Sequence, residues 1–341
     1  MSSAPGLVGN TLLGISAFCV TSAVLLTTHA PDRLAKTPLD LAVTVVSTTA
    51  AAGTRGGQIL DSTSMAGEQA LRVLDDVPLM SQRYVTVVEP SDSETMTAQS
   101  GAEIRRLDIE DGAGLLSATI TTVTVDRVSA SPTPNGRGSI QTSSSGVADE
   151  VDFTGMTSKL PMGTLKKSYP YFDTIARRSA PLEYVDESKI DGVAVLRFRQ
   201  QIDPIDLATA APNVTGSVLT LPRSKWGLST DQQPLTLHRW YSTFRELWVE
   251  PVTGMIVDAR ESPHIYYAET SDRPVVPVMS ATLRFDSDSR KRQMAMARSA
   301  KVNIDRLFTV APQILAATAA AAAAGGLGLL VRRAKSARRI G

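Results

Sequence analysis

The chain has 341 residues, a net charge of +1 and 43% hydrophobic residues, which fits one large domain or two small ones. This near-neutral charge excludes the strongly basic surface that nucleic-acid binding needs, so no nucleic-acid partner is expected. The single cysteine, Cys19, excludes an intramolecular disulfide.

The first element is an uncharged, apolar run over residues 6–28, which is long enough for a transmembrane helix. A cleaved signal peptide is the alternative interpretation. No Lys or Arg precedes the run, however, and Pro31 follows the best cleavage point, after Ala30. We therefore predict an uncleaved membrane anchor behind a short cytoplasmic N-terminus, residues 1–5.

Residues 29–286 are predicted to form one β-rich α+β domain, because segments dense in β-branched residues recur along them. The clearest hairpin is "TFRELWVEPVTGMIVDARE", Thr243–Glu261, with its turn at Glu250–Gly254. Residues 129–150 hold few apolar groups and are predicted to be a mobile loop, and residues 203–216 also lack periodicity. The other predicted strands are Leu41–Thr49, Arg83–Pro90, Ser117–Val128, Gly192–Gln200 and Ser217–Pro222.

Residues 287–306 are predicted to form a basic juxtamembrane helix, capped by Ser287 or Asp288. Its cations Arg290, Lys291 and Arg292 are candidates for contact with lipid headgroups. The alternative is a helix face that is simply solvated.

The second apolar run, residues 307–331, carries no charged residue over 25 positions. A helix of that length spans roughly 37 Å, enough for a hydrocarbon core of ~30 Å. A soluble alanine-rich helix or a flexible tail is the alternative, but no face of the helix carries a polar stripe. Small residues are expected to pack the two apolar helices together. These residues are Gly14, Ala317, Ala321 and Gly325.

The tail, residues 332–341, carries five basic residues and no acid, which favours a cytoplasmic location. The sequence thus predicts a two-pass protein of the plasma membrane with both termini in the cytoplasm. The β-rich domain then lies outside the cytoplasm. Basic residues also precede the second apolar run, but long domains translocate largely regardless of flanking charge.

Signatures of catalysis and metal binding are sparse. The three histidines are far apart in sequence and have no nearby cysteine, which argues against a zinc site. There is no Gly-x-Ser-x-Gly elbow. We therefore predict no catalytic residue, no metal, no cofactor and no enzymatic activity.

Four stretches, in this order, resemble the actinobacterial PorA-type porin family over nearly the whole chain. They are "RLAKTPLDL" (Arg33–Leu41), "VDRV" (Val125–Val128), "FTGMTSKLPMGTLKKSYPYFD" (Phe153–Asp173) and "RELWVEPVTGMIVDARE" (Arg245–Glu261). Leu160 and Met162 replace two aromatics of the family pattern, and Leu165 replaces an acid. The residues that carry the resemblance, without an assigned role, are Lys166, Lys167, Tyr169, Tyr171, Phe172, Asp173, Arg245, Trp248, Glu250 and Gly254.

The family name implies a pore, but strands this short and irregular are not expected to form a lipid-facing barrel. The arrangement of two anchors around a β-rich domain also resembles the class B scavenger receptors, whose ectodomain holds a hydrophobic tunnel for lipids. That likeness is one of topology, and topology does not establish function.

The principal hypothesis is therefore a non-enzymatic protein that binds or passes lipids or glycolipids between the plasma membrane and an outer mycolate layer. Arg177 and Arg178 are further candidates for headgroup contact. One alternative is an accessory subunit with a membrane-protein partner, a transporter or a synthase of the envelope. The second alternative is the channel that the family name implies. The oligomeric state stays open.

Overall fold

The computed structural model describes residues 4–28, 35–110, 112–134, 136–143 and 146–337. The chain divides into a helical unit, residues 1–36 and 298–341, and a β unit, residues 37–297. Parts of the predicted N-terminal segment, of the first family stretch and of the basic tail lie outside the described residues. These parts are residues 1–3, 33–34 and 338–341.

The helical unit holds the two apolar helices that the sequence predicts. Helix α1 spans Ala4–Thr28, and the last helix, Ala311–Ala337, follows a π-helical turn at Arg306–Val310. Both helices are long and apolar enough to cross a membrane.

The two helices pack along a seam of small residues that we call the helix seam: Gly9, Cys19, Ala319, Ala322 and Gly326. All five are buried, whereas most neighbouring residues of the two helices are exposed. A Cβ atom on Gly326 would lie 2.9 Å from the carbonyl oxygen of Gly9, so glycine is required where the backbones meet. On the last helix, Ala319, Ala322 and Gly326 are separated by three and four residues, which is the spacing of a heptad.

Three of the four predicted packing residues lie away from this seam. Ala317 and Ala321 are exposed, and a Cβ atom on Gly14 would meet nothing within 4 Å, whereas a Cβ atom on Gly325 would lie 3.5 Å from the side chain of Leu12 on the first helix. In an alanine tract every register offers small residues four apart, so their spacing alone does not choose a face. The close approach of the two backbones at Gly9 and Gly326 determines which face of each helix is buried.

The β unit is a sixteen-stranded antiparallel sheet. Its strands are β1 Ala42–Thr48, β2 Gly57–Leu60, β3 Val73–Val77, β4 Leu79–Val88, β5 Thr95–Arg106, β6 Leu115–Asp126, β7 Arg137–Gln141, β8 Asp149–Asp152, β9 Tyr169–Asp173, β10 Arg178–Ile190, β11 Val193–Asp206, β12 Val218–Pro222, β13 Pro234–Glu250, β14 Met255–Ala268, β15 Pro274–Ser280 and β16 Leu283–Phe285.

The main path of the sheet runs β8-β7-β6-β5-β4-β1-β16-β14-β13-β11-β10-β9. Its two ends meet at a closure formed by Phe153, Met156, Pro170 and Phe172. The amide of Met156 donates to the carbonyl of Pro170 at 3.0 Å, and the amide of Phe172 donates to the carbonyl of Met156 at 2.8 Å. The rings of Phe153 and Phe172 stack with their centroids 4.3 Å apart. The sheet is therefore rolled and closed on itself.

Two expectations about this unit were wrong. The predicted mobile loop, residues 129–150, contains β7 and the start of β8, because Ile140 packs into the apolar cluster beside Phe153. Residues 203–216 begin with the end of β11, followed by a short helix α2, Leu207–Ala210. The strands are also longer than expected, since β13 has 17 residues.

The outer face of the roll carries charges that pair across strands. Arg197 on β11 bonds to Asp186 on β10 and to Glu246 on β13. A charge on a lipid-facing strand costs about 2–4 kcal/mol at the bilayer midplane. This part of the outer face is therefore suited to water.

The predicted hairpin is confirmed, since β13 and β14 pair along most of their length and the turn follows Glu250. Gly254 has a φ of 71°, which glycine adopts without strain. The final basic helix, α3, spans Ser287–Asp305, and its cap differs from the prediction: Asp286 accepts from the amide of Ser289 at 2.7 Å. The last apolar helix, Ala311–Ala337, is α4.

Gly326→Leu is expected to separate α1 from α4, because any side chain there meets the backbone of the partner helix. Cys19, buried in the helix seam, then becomes reactive, and its alkylation rate in detergent rises. Gly328→Leu is the matched control, since a Cβ atom there meets nothing within 4 Å. Equal alkylation rates of Cys19 in the two variants would contradict the packing of the two helices along the helix seam.

Gly254→Ala is expected to destabilise the β unit by more than about 3 kcal/mol, through backbone strain and a steric clash. The added Cβ atom would lie 2.1 Å from the carbonyl oxygen of Leu160. Gly163→Ala, at a φ of 68° with open space around it, isolates the strain and costs about 1 kcal/mol. Urea unfolding of both variants measures the difference.

Candidate functional site

The rolled sheet encloses a cavity of about 130 Å³, which we call the lumen. Its wall is formed by the inner faces of β4, β5 and β6 on one side and by β9, β13 and β14 on the other. Eight serine and threonine residues on the wall contribute hydroxyl groups: Ser81, Ser100, Ser117, Thr119, Thr121, Thr157, Ser158 and Thr174. Apolar side chains such as Val123 and Leu283 complete the wall, so the lumen has a mixed lining with room for a few water molecules.

Strand β6 shows how the sequence produces this polarity. Ser117, Thr119 and Thr121 face the lumen, while the alternating residues Leu116 and Ile120 are exposed on the outside. Because side chains alternate across a strand, the first half of β6 places hydroxyls inside and apolar residues outside. In its second half the inner face is apolar, since Val123 and Val125 are buried there.

A buried charge cluster forms the opposite wall, and Arg245 on β13 is at its centre. Its Nε donates to Glu261 at 2.9 Å, one Nη donates to Gln200 at 2.5 Å, and the other donates to Asp173 at 3.0 Å. Gln200, Arg245 and Glu261 are direct partners in the register of β11, β13 and β14. Each of the three guanidinium nitrogens therefore donates a hydrogen bond to a different side chain.

Asp173 at the end of β9 is saturated with donors. The hydroxyl of Tyr241 donates to it at 2.9 Å, and the amides of Ile175 and Ala176 donate at 2.9 and 2.8 Å. Gln200 in turn donates to the carbonyls of Tyr171 and Ala180. The cluster therefore joins β9, β10, β11, β13 and β14 through polar contacts.

The pKa values in the cluster follow from burial and from the neighbouring charges. Burial alone would lower the pKa of Arg245, but Glu261 and Asp173 raise it well above its usual value. Burial would raise the pKa of Glu261, but the cations Arg245 and Arg83 lower it below 4.5. Burial and Asp173 raise the pKa of Tyr241. Arg245 and Glu261 are therefore ionised at neutral pH.

The residues of the family motif do not form one site. Asp173 and Arg245 meet in the cluster, and Tyr171 and Phe172 contribute to the lumen wall. Tyr169 is buried in the core, where its hydroxyl accepts from the amide of Leu165. The remaining motif residues lie elsewhere in the β unit.

Glu250 closes the hairpin turn by accepting from the amide and hydroxyl of Thr253, beside Gly254. Trp248 faces outwards, with the guanidinium of Arg284 5.2 Å from its ring. Lys166 is exposed and pairs with Glu187 at 2.6 Å, and Lys167 lies over the ring of Tyr169. These motif residues therefore have structural contacts away from the lumen.

The candidate headgroup contacts differ in exposure. Arg177 is unsuited to the role, because its side chain is only 10% exposed and pairs with Asp149 at 2.5 Å. Arg178 is exposed. On α3, Lys291 and Arg292 are exposed, whereas Arg290 is half-buried. Contact between any of them and lipid stays a prediction.

Sequence reasoning missed Glu261, Gln200, Tyr241 and Arg83. Alternation along β13 places Tyr241 on the same face as Arg245, which is a signal that the sequence offers. Within the described ranges, no group of three or more His, Cys, Asp or Glu side chains is arranged to hold a metal ion.

Together, these features define a β-rich chain with a closed sheet, a lumen that carries hydroxyl and charged groups, and two helices capable of crossing a membrane. The chain belongs to the Porin PorA family, whose sequence profile matches residues 8–328. It is similar to Porin PorA of Corynebacterium amycolatum, with 28% identity over 90% of this chain and 94% of that protein. It is also similar to Porin PorA of Corynebacterium resistens, with 27% identity over 75% of this chain and 74% of that protein. The predicted family is confirmed.

Arg245→Met is expected to cost about 3–5 kcal/mol of stability at neutral pH, because Asp173 and Glu261 lose their cation. Glu261 has a lowered pKa in the folded state, so its pairing stabilises above pH 4.5 and is lost as pH falls through the folded value. The difference between wild type and variant should therefore shrink in acid. Urea unfolding at about pH 7 and about pH 4 measures it.

Arg55→Met is the matched control for this variant, because Arg55 is exposed and does not line the lumen. Its effect should stay within about 0.5 kcal/mol. A stability loss for Arg245→Met that is as small as that of the control, or that grows in acid, would contradict the assigned role.

Proposed function

We propose that the chain is a channel-forming porin of the cell envelope, and that its lumen is part of the path taken by ions and small polar solutes. The observation that carries the proposal is the hydroxyl-lined, charged lumen inside a closed sheet. Membership of the Porin PorA family supports it. This is the second alternative from the sequence, and it replaces the lipid carrier as the principal function.

The size and chemistry of the lumen argue against the lipid hypothesis. Its volume of about 130 Å³ is well below the roughly 300–1,000 Å³ of typical ligand pockets. A lipid chain would also have to strip water from the hydroxyls and charges of the wall, which is unfavourable. Partly hydrated ions and small polar solutes can instead bond to these groups.

In this proposal the helical unit provides the membrane part. Leu7 and Phe18 on α1 are each 71% exposed, which suits contact with lipid. In the proposed topology the two helices cross the plasma membrane, both termini lie in the cytoplasm, and the β unit lies outside the cytoplasm. The accessory-subunit alternative gains no support, since Cys19 is buried in the helix seam.

One chain alone does not suffice for conduction across a bilayer. Apolar helices that touch at Gly9 and Gly326 leave no room for water between them. A water-filled path therefore needs several copies arranged around it, so the proposal includes a homo-oligomer as the conducting form.

Purified full-length protein is expected to produce discrete conductance steps in planar bilayers, and heat-inactivated protein is the control. Ser100→Leu places a larger side chain in the lumen and should reduce the unit conductance. The matched control is Gly101→Leu, one residue along β5, where a Cβ atom meets nothing within 4 Å.

The outcomes separate the parts of the proposal. Absence of conductance above that of the heat-inactivated control contradicts the channel function. Conductance that is the same in Ser100→Leu and Gly101→Leu shows that the path avoids the lumen. Thermal unfolding of both variants verifies that they are folded.

A further inference from the structure

Arg83, on the inner face of β4, is a half-buried cation that lines the lumen. A guanidinium offers five N–H donors. Among the residues that the structure describes, none accepts a hydrogen bond from Arg83 or forms an ion pair with it. Its donors are therefore available to the contents of the lumen.

The surroundings of Arg83 leave space and add further polar groups. Its partner across the strands is Ala102, and the next partner in the same row is Thr119 on β6. Because Ala102 is small, the volume beside the guanidinium stays open. Ser100 and Thr119 line the same space, and neither hydroxyl bonds to a described protein group.

The other lumen charges are engaged with one another. Arg245 is bonded to both Asp173 and Glu261, and Asp173 accepts three further hydrogen bonds. Glu103, at the edge of the lumen, pairs with Arg105 at 3.3 Å. Glu261 attracts Arg83 and thereby balances the total charge, but this attraction leaves the donors of Arg83 open.

We propose that the lumen binds a small inorganic anion, such as chloride, on the guanidinium of Arg83, with hydroxyl donors from Ser100 and Thr119. Hydrogen bonds between a charged donor and an anion are stronger than neutral ones, which offsets part of the cost of removing water from the anion. The lumen volume of about 130 Å³ holds such an ion with part of its hydration shell.

The site also assigns Arg83 a role in ion selection, and that role rests on the proposed channel function. A fixed cation in a narrow polar path raises the local concentration of anions and lowers that of cations. Arg83 is then the residue that shifts the selectivity of the channel toward anions.

The test of binding is a chloride titration followed by the NMR line width of chloride, with the full-length chain in detergent. Wild type is expected to broaden the line, and Arg83→Gln should weaken the affinity by at least about tenfold. Arg55→Gln is the matched control, because Arg55 is exposed and outside the lumen. Arg83→Lys keeps the charge and should retain part of the binding.

A second variant keeps the proposal testable if Arg83→Gln does not fold. Thr119→Val removes one hydroxyl at nearly constant volume and should weaken chloride binding while leaving the unfolding transition in place. Equal line broadening in wild type, Arg83→Gln and Arg55→Gln would overturn the site, as would unchanged binding in a folded Thr119→Val.

The reversal potential in a potassium chloride gradient separates this inference from the channel proposal. Arg83→Gln should shift it toward the potassium potential, whereas Arg55→Gln should leave it unchanged. If the protein conducts but its reversal potential does not depend on Arg83, the anion site is overturned and the channel proposal stands. Chloride binding that depends on Arg83, without conductance, supports the site and contradicts the channel.

Discussion

The β unit depends on the burial of one guanidinium. Arg245 lies inside a closed sheet, where a charge without partners is strongly unfavourable, so the surrounding strands must supply acceptors. Asp173, Gln200 and Glu261 do so from three different strands. The same contacts fix how β9, β11, β13 and β14 lie against one another, and they define one wall of the lumen.

The hairpin shows how far the sequence alone leads to this cluster. The turn and both arms can be predicted from Pro251, Gly254 and the β-branched residues around them. A regular register from the Glu250–Met255 pair would place Arg245 opposite Arg260. A bulge at Trp248–Val249 shifts the register by one residue and brings Glu261 to Arg245 instead. Local propensity does not encode such a bulge, because burial of the charge across the sheet favours it.

The remaining successes and failures have similar causes. Long segments of β-branched residues and long apolar runs are strong local signals, so both apolar helices and seven of the sixteen strands, β1, β4, β6 and β11–β14, were predicted. The strand at Arg137–Gln141 was missed because its stability comes from pairing with β6 and from one buried residue, Ile140. The helix seam was misplaced because an alanine tract looks the same in every register. The serine and threonine residues that line the lumen were not predicted. Their positions on the inner face follow from strand alternation only once the sheet is known to close.

The closure of the sheet has a consequence for its dynamics. Most neighbouring strands share long hydrogen-bonded ladders, whereas the two ends of the path are joined by two backbone hydrogen bonds at Met156, by the Phe153–Phe172 stack and by side-chain contacts such as Thr154–Ser179 and Arg177–Asp149. Local opening follows the region with the fewest cooperative contacts. The roll should therefore breathe along this line, with the amides of Met156 and Phe172 exchanging with solvent deuterium before those of the central strands. Water inside the barrel can then turn over while the fold as a whole stays intact.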